Sequence, residues 1–433
     1  MARAHRGSVS RRDFTRLFAF GGSAALFAHP AWAQTAGARP SLPASGPTTG
    51  EAFWKAVRAQ FVMPPDLAVM NAANLCPSSA PVLEALTRET RSVDQDPSQQ
   101  NRARLGPAKE STRKALAEFL RVTPEEVVIT RNTSEANNLV STGLDLKAGD
   151  EVLIFSDNHP CNNTAWQEKA KRFGYTVTVV PQKNPHPGAD YYLDAFSKAL
   201  TPRTKVLSFT HLTSTVGDLF PAKELCKLAR DRGIISMIDG AQTFGLLDVD
   251  LSDIQPDFYS GSAHKWPCGA RECGVLYVSA RVHDRLWGSI YSAYPGAVGI
   301  SRKVEGLGQR DESSIIAFGE ALAFQNKVGR KAIEQRSRQL AQQLMAGLSK
   351  IDGVTLWTSP VPERSAAVVS FQPAALDARK VAQTLYDKDK IGITTRGGDD
   401  RPGLRVSPHF FNTPEEVDRL LAALSGYMRS GTV

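Results

Sequence analysis

Cysteine is sparse in this chain of 433 residues, and its spacing is irregular: Cys76, Cys161, Cys226, Cys268 and Cys273 are all there is. The number is odd, no Cys-x-x-Cys pair occurs, and no His/Cys group has metal-ligand spacing. That excludes a disulfide scaffold and a sequence-evident zinc site. Beyond the first thirty-odd residues no apolar run is long enough to span a bilayer, so no stable membrane insertion is expected. There is no internal repeat, which excludes a solenoid. No basic run is interleaved with aromatic residues, so the footprint of a nucleic-acid binder is missing. The formal charge is +8, but residues 1–33 hold five arginines against Asp13 and account for half of it. No nucleic-acid partner follows from the remainder. What is left is a globular composition, 42% hydrophobic and 22% charged, on a chain long enough for two domains and a sizeable core.

Near the N-terminus, Ser10-Arg11-Arg12-Asp13-Phe14 precedes a modestly apolar run from Leu17 to Ala28, and Ala31-Trp32-Ala33 follows as a small-x-small processing pattern. A charged region, an apolar region and a cleavage pattern in that order read as an export signal. The adjacent arginines resemble the twin-arginine type. The expectation is a signal peptide over residues 1–33, cleaved after Ala33, with the twin-arginine export machinery as a partner and the periplasm as destination. A frayed basic terminus and an uncleaved anchor are the alternatives. Residues 34–50, rich in Pro, Gly, Ser and Thr, read as a flexible linker.

From residue 51 the hydrophobic pattern predicts a short helix over 51–61, a strand over 67–70, and helices over 82–93 and 111–120. Apolar strands over 127–130, 151–155, 176–180, 206–210, 234–238, 258–260 and 274–278 then alternate with helical stretches. Such alternation predicts an α/β fold with a mostly parallel, doubly wound sheet, in which ligands sit off the carboxyl ends of the strands. A single long helical region is predicted over 312–349, followed by an α+β texture with strands over 354–357, 366–371, 391–396 and 403–407 and helices over 378–388 and 413–428. The expected organisation is a large domain over 51–311, with residues 51–66 as an N-terminal arm, and a smaller C-terminal domain over 312–433 that includes the connecting helix.

Candidate functional residues cluster at the predicted strand ends. Asp239, in Ile238-Asp239-Gly240-Ala241-Gln242, is a carboxylate at the end of an apolar strand and needs a cationic partner. A protonated pyridine nitrogen would serve, which is how a protein keeps pyridoxal phosphate working as an electron sink; a structural Asp capping the next turn is the alternative. Thr133-Ser134-Glu135-Ala136 stands where a strand gives way to a helix, as a phosphate cradle, as an N-cap box, or as both. His159 and His211 each follow a strand. The first suits stacking on a flat heteroaromatic ring and the second a hydrogen bond to cofactor or substrate, although either also reads as a polar loop residue. Lys265, in Ser262-Ala263-His264-Lys265-Trp266, follows a strand end among small residues. A lysine dehydrated there would have a lowered pKa and serve as a Schiff-base nucleophile or proton carrier; a plain loop lysine is the alternative. Arg405, within Gly403-Leu404-Arg405-Val406-Ser407, is a guanidinium in a strand-like run, suited to a substrate carboxylate or to an internal salt bridge.

In this order, these segments resemble the class V aminotransferase family of fold type I pyridoxal-phosphate enzymes, in its isopenicillin-N-epimerase-like branch. The resemblance covers about Leu67 to Met428 and rests on Ser262-Ala263-His264-Lys265-Trp266, Asp239-Gly240-Ala241-Gln242 and Arg405-Val406-Ser407-Pro408-His409-Phe410-Phe411-Asn412. It implies pyridoxal 5'-phosphate as cofactor, held as a Schiff base by Lys265. It further implies His159 stacked on the ring, Asp239 at the pyridine nitrogen and Gln242 at the phenolic oxygen, with His211 alongside. Thr133, Ser134 and His264 would hold the phosphate, and Arg405 and Asn74 would contact the substrate. A homodimer is also implied. Where the family often has Gly-Thr-x-Asp or Gly-Thr-x-Asn, reaching a phosphate across the dimer, this chain has Gly308-Gln309-Arg310-Asp311, so Gln309 would stand in for the threonine.

Such a cofactor stabilises a carbanion at Cα and leaves Lys265 as the natural proton carrier. Transamination, epimerisation and β-elimination all branch from there. Cysteine desulfurases of the family use a cysteine late in the chain; none follows Cys273 here, which argues against sulfur transfer through a persulfide. The expectation is aminotransferase-type chemistry on an amino acid or an amino-acid-containing peptide. An epimerase or C–S lyase on the same scaffold is the alternative, and a binding protein without turnover is the reading from a different class.

Overall fold

The computed structural model describes residues 50–397 and 400–433, all within one compact unit. The signal-peptide reading of residues 1–33 and nearly all of the linker reading of 34–50 lie outside the described residues. Helix α1 (Glu51–Arg58) and a short strand β1 (Ala68–Val69) open this part of the chain, followed by helices α2 (Ala80–Gln95) and α3 (Leu105–Leu120). Strands and helices then alternate through β2 (Val127–Thr130), α4 (Thr133–Gly143), β3 (Glu151–Phe155), α5 (Pro160–Phe173), β4 (Thr176–Val180), α6 (Ala189–Ala199), β5 (Thr204–Thr210), α7 (Ala222–Asp231), β6 (Ile235–Asp239), β7 (Phe258–Ser262) and β8 (Gly274–Val278).

Strands β2 to β8 build a seven-stranded sheet in the order β2-β8-β7-β6-β5-β3-β4, parallel except where β8 runs antiparallel to both of its neighbours. Most of its strands are buried from end to end, which is why they read as unbroken apolar runs. Alternate residues divide between two cores: Leu153, Phe209, Ile238 and Tyr259 pack on one face, and Ile154, Val206, Met237 and Phe258 on the other. Because β2 and β7 both oppose β8, the carboxyl ends of β2, β3, β5, β6 and β7 share one edge of the sheet. Residues 133, 159, 211, 239 and 265 all follow or close those ends.

The stretch predicted as one helix over 312–349 is two, α8 (Glu312–Val328) and α9 (Arg330–Leu348). The break is at Gly329, whose φ of 98° no helical residue adopts. Helix α8 packs against α2 and α3. The remaining elements are β9 (Val354–Leu356), β10 (Val369–Pro373), α10 (Ala378–Asp387), β11 (Ile391–Gly392), β12 (Thr394–Arg396), β13 (Gly403–Val406) and α11 (Pro414–Ser430). The strand expected over 391–396 is likewise divided: β11 pairs with β1, while β12 joins an antiparallel sheet in the order β12-β13-β10-β9. The β1–β11 pair and the bridge from Asn71 to Ser407 bring the start of the described chain against its end. Among the described residues no helix is long and apolar enough to cross a membrane.

Candidate active site

Lys265 stands in a turn fixed on every side. Beyond β7, the Gly269 N–H donates to the Ala263 carbonyl and the Cys268 N–H to the Lys265 carbonyl. The next residue, Trp266, is fully buried. Its indole N–H donates to Gln242 Oε1 at 2.8 Å, and its carbonyl accepts from Gln325 Nε2 and His409 Nε2, both at 2.7 Å. The turn is therefore rigid while the amine it carries is free: among the described residues Lys265 Nζ has no hydrogen bond and no ion pair. Burial lowers its pKa, the Asp239 carboxylate opposes that, and Arg405 adds to the lowering.

Asp239, buried at the end of β6, accepts from Asn137 Nδ2 at 2.9 Å and from the Ala241 N–H at 3.1 Å. Asn137 is itself held by Ser260, whose hydroxyl donates to Asn137 Oδ1 at 2.8 Å. The carboxylate thus has neutral donors and no bonded cation among the described residues. At the N-terminus of α4, Asn132 caps the Glu135 N–H at 3.0 Å, and the Thr133 N–H and hydroxyl both meet Ser262 Oγ, at 2.9 and 2.8 Å. Ser134 is exposed at that same terminus. His159 caps α5 as a residue only partly open to solvent. Its Nδ1 accepts the Cys161 N–H at 3.3 Å and lies 2.9 Å from Cys161 Sγ. Burial lowers the His159 pKa, Lys265 lowers it further and Asp239 opposes, so Lys265, Asp239 and His159 share one field.

Arg405, on β13, donates from Nη1 to the Ser214 carbonyl at 2.8 Å and from Nη2 to Asn71 Oδ1 at 3.3 Å. No carboxylate pairs with it among the described residues. Burial brings its pKa down to about 10, with Arg396 as the second cause.

The structure therefore gathers Lys265, Asp239, His159 and Arg405, with Thr133 and Ser134 at the helix terminus. His264 is half-buried beside them, its pKa held at about 4 by burial and then by Lys265 and Arg271. Gln242 is nearby but already serves the fold, since its Nε2 donates to the Ala73 carbonyl at 3.0 Å and its Oε1 holds Trp266. Three candidates have no side-chain contact with these groups among the described residues, although the His211 N–H donates to the Asp239 carbonyl at 3.0 Å. Asn74 is exposed, and it is Asn71 that meets Arg405, because the turn there folds Asn74 away: its N–H donates to the Asn71 carbonyl. The His211 ring is buried with Nδ1 unpartnered, and the charge acting on it is Arg338 of α9. Gln309 is exposed and accepts from Arg102 at 3.3 Å. Asn71, Asn137, Cys161 and Ser262 are the site residues that the sequence pattern did not single out.

Residues 77–420 match the family model described as Aminotransferase class-V. The chain belongs to the class-V aminotransferase family. Among curated relatives of this class-V protein, isopenicillin N epimerase of Amycolatopsis lactamdurans is 31% identical over 86% of this chain and 98% of its own. A probable cysteine desulfurase of Xylella fastidiosa is 31% identical over 73% of this chain and 79% of its own. Among solved structures, a cystine C–S lyase, C-DES, in complex with its product cysteine persulfide superposes with a TM-score of 0.75 at 25% identity, covering 83% of this chain and 98% of that one. The apo cysteine desulfurase of Thermococcus onnurineus gives a TM-score of 0.78 at 23% identity, over 86% and 98%, and shares the fold.

The protein is a class-V enzyme acting on amino acids, with pyridoxal phosphate as its cofactor and the fold of fold type I enzymes. The donor set fits that group. A buried carboxylate without a cation suits a protonated ring nitrogen, a free amine suits the aldehyde, a partly open imidazole suits a ring face, and an 11-residue helix N-terminus suits a phosphate.

Proposed function

We propose that this class-V enzyme carries out transamination at Cα of an amino acid or of an amino-acid-containing peptide. The observation that carries the reading is the unpaired Lys265 amine, held on a rigid turn in the field of Asp239 and Arg405. Pyridoxal phosphate, when bound, supplies an electron sink for negative charge at Cα and a carrier for the amino group. Asp239, Lys265, His159 and the Thr133-Ser134 helix terminus would hold it. Arg405 binds the α-carboxylate, its fork oriented by Ser214 and Asn71. Lys265 then removes the Cα proton at Nζ; its lowered pKa leaves more free amine at neutral pH than an ordinary lysine has.

A second reading is epimerisation, which needs an acid or base besides Lys265. The Cys161 thiol, bonded to His159 Nδ1, supplies one, and the relatives at 31% and 30% identity that bear the name isopenicillin N epimerase support it. C–S lysis has support from C-DES, whereas a persulfide-carrying cysteine late in the chain has none here. Export through the twin-arginine route to the periplasm is part of the proposal, supported by the Arg11-Arg12 pattern and the Ala31-Trp32-Ala33 processing pattern. So is a homodimer that brings Gln309 to the partner's cofactor phosphate.

The test is incubation of the purified holoenzyme with amino acids and peptides in heavy water. Keto acid formation that turns over only when a second keto acid is supplied as amino acceptor, with deuterium at Cα of the recovered amino acid, supports transamination; the opposite enantiomer with deuterium at Cα and no keto acid supports epimerisation. Lys265→Ala is expected to abolish both the exchange and the Schiff-base absorbance. A wild-type protein that takes up no chromophore would overturn the enzyme reading.

A further inference from the structure

Register places a second arginine beside Arg405. In the β12–β13 pair Thr394 opposes Arg405 and Arg396 opposes Gly403. Residues two apart on a strand share a face, so Arg396 and Arg405 are diagonal neighbours on one side of the sheet. Their Cα atoms are about 7–8 Å apart, as diagonal cross-strand pairs are. Both side chains have a buried Nε without a hydrogen-bond partner. Among the described residues Arg396 makes no hydrogen bond and no ion pair at all.

Among the described residues, the two acids whose charges act on Arg396 are bonded to Arg401. Asp157 accepts from Arg401 Nη1 and Nη2 at 3.3 and 3.2 Å, and Asp400 accepts from Arg401 Nε at 2.9 Å. Two like charges, partly buried and diagonal to each other, with no carboxylate in contact with either among the described residues, are costly to keep. Burial lowers both, Arg396 lowers Arg405 further, and Asp157 and Asp400 oppose the lowering of Arg396 while Arg401 adds to it. One arginine in such a place is accounted for by the α-carboxylate. The second is not.

We propose that Arg396 is a specificity-determining residue that takes a second carboxylate of the substrate, so that the enzyme acts on an acidic amino acid or on a peptide unit with a free side-chain carboxylate. The inference rests on Arg405 as the α-carboxylate anchor. The fork of Arg405 fixes one end of the substrate and Arg396 the other, and a neutral side chain leaves Arg396 desolvated without compensation. Discrimination then comes from the charge left unpaired with the wrong substrate.

The experiment titrates the holoenzyme with non-reacting acids by calorimetry, using succinate, glutarate and adipate against butyrate. At least one dicarboxylate is expected to bind wild type roughly tenfold to a hundredfold tighter than butyrate, as one added charge-assisted contact predicts. In R396Q that preference falls to within about twofold while butyrate binding is unchanged, and R396K, which keeps the charge, keeps part of it. R405Q weakens dicarboxylate and monocarboxylate alike. A wild type that binds butyrate as well as every dicarboxylate, or a preference that survives in R396Q, overturns the proposal. The readout is independent of turnover: an enzyme that selects a dicarboxylate through Arg396 yet forms no keto acid refutes transamination and leaves this inference standing.

Discussion

At the scale of single residues the site is a set of charges that the fold keeps apart from their usual partners. Among the described residues Lys265 has no acid bonded to it, Asp239 no base and Arg405 no carboxylate. Each is ready for a ligand, and each shifts the others. Because Arg405 lowers the Lys265 pKa, removing that charge raises it. Capture of pyridoxal phosphate by the apoprotein needs the free amine, so its rate rises with pH through the Lys265 pKa, below the ordinary value of 10.5. In Arg405→Gln the rising limb of that pH profile is expected at higher pH. Capture at a fixed pH on the limb then slows by less than about tenfold, the amount for one pH unit. A limb that stays put or moves down would show that the two charges do not interact.

At the scale of elements, the loop after β5 joins the large sheet to the carboxylate site. Ser214 gives its carbonyl to Arg405, Thr215 gives its carbonyl to Ser370 Oγ at 2.5 Å, and Val216 gives its own to Thr358 Oγ1 at 2.6 Å. Gly217 allows this, with φ 78° and with the Val368 carbonyl oxygen 2.1 Å from where a Cβ would stand. Gly217→Ala is expected to cost about 2–4 kcal/mol of stability and to raise KM more than it lowers kcat, read by melting temperature and steady-state kinetics. The next residue, Asp218, is fully buried with neither carboxylate oxygen partnered. Burial first and Asp157 second push its pKa up to about 7, with Arg401 opposing. A carboxyl that resists ionising in the folded state subtracts stability once the unfolded chain ionises. The loss begins as pH rises past the ordinary carboxylate range and is complete above about 7. Asp218→Asn escapes it. Its gain in melting temperature over wild type is expected to be larger at pH 8 than at pH 5, corresponding to no more than about 4 kcal/mol. An equal gain at both pH values would mean that Asp218 titrates as an exposed acid does.

The same elements show what was legible in the sequence. The sheet strands were, because they are short apolar runs bounded by polar turns, and 127–130, 151–155, 176–180 and 274–278 are strands over those same residues. Gly329 was passed over because one glycine within an amphipathic pattern does not announce a positive φ. Lys265, Asp239 and Arg405 stood out because a charge at an apolar strand needs a reason. Asn71, Asn137 and Ser262 did not, because their partners Arg405, Asp239 and Thr133 are more than a hundred residues away, and neutral polar side chains give no local sign of burial. Cys161 was counted with the scattered thiols until α5 turned it toward His159.

At the scale of the whole molecule, the site cannot exist in part of the chain. It draws Asn71 from beside β1, Asp239 and Lys265 from the middle, and Arg405 and His409 from near the end. Cofactor capture therefore reports complete folding, and by mass action a ligand that binds only the folded chain stabilises it, by about 2.7 kcal/mol at a hundredfold excess over Kd. Holoprotein is expected to melt above apoprotein, and Lys265→Ala to lose most of that difference. Every cysteine is free, so no disulfide waits for an oxidising compartment to complete the fold. A protein built this way has reason to be folded and loaded before export, which the twin-arginine reading of residues 1–33 requires. Replacing Arg11 and Arg12 by Lys is then expected to leave a folded, cofactor-bearing protein in the cytoplasm, while wild type is recovered in the periplasm with its Schiff-base absorbance. Wild type found in the cytoplasmic fraction, or reaching the periplasm with both arginines replaced, would overturn the export proposal and leave the chemistry of Lys265 untouched.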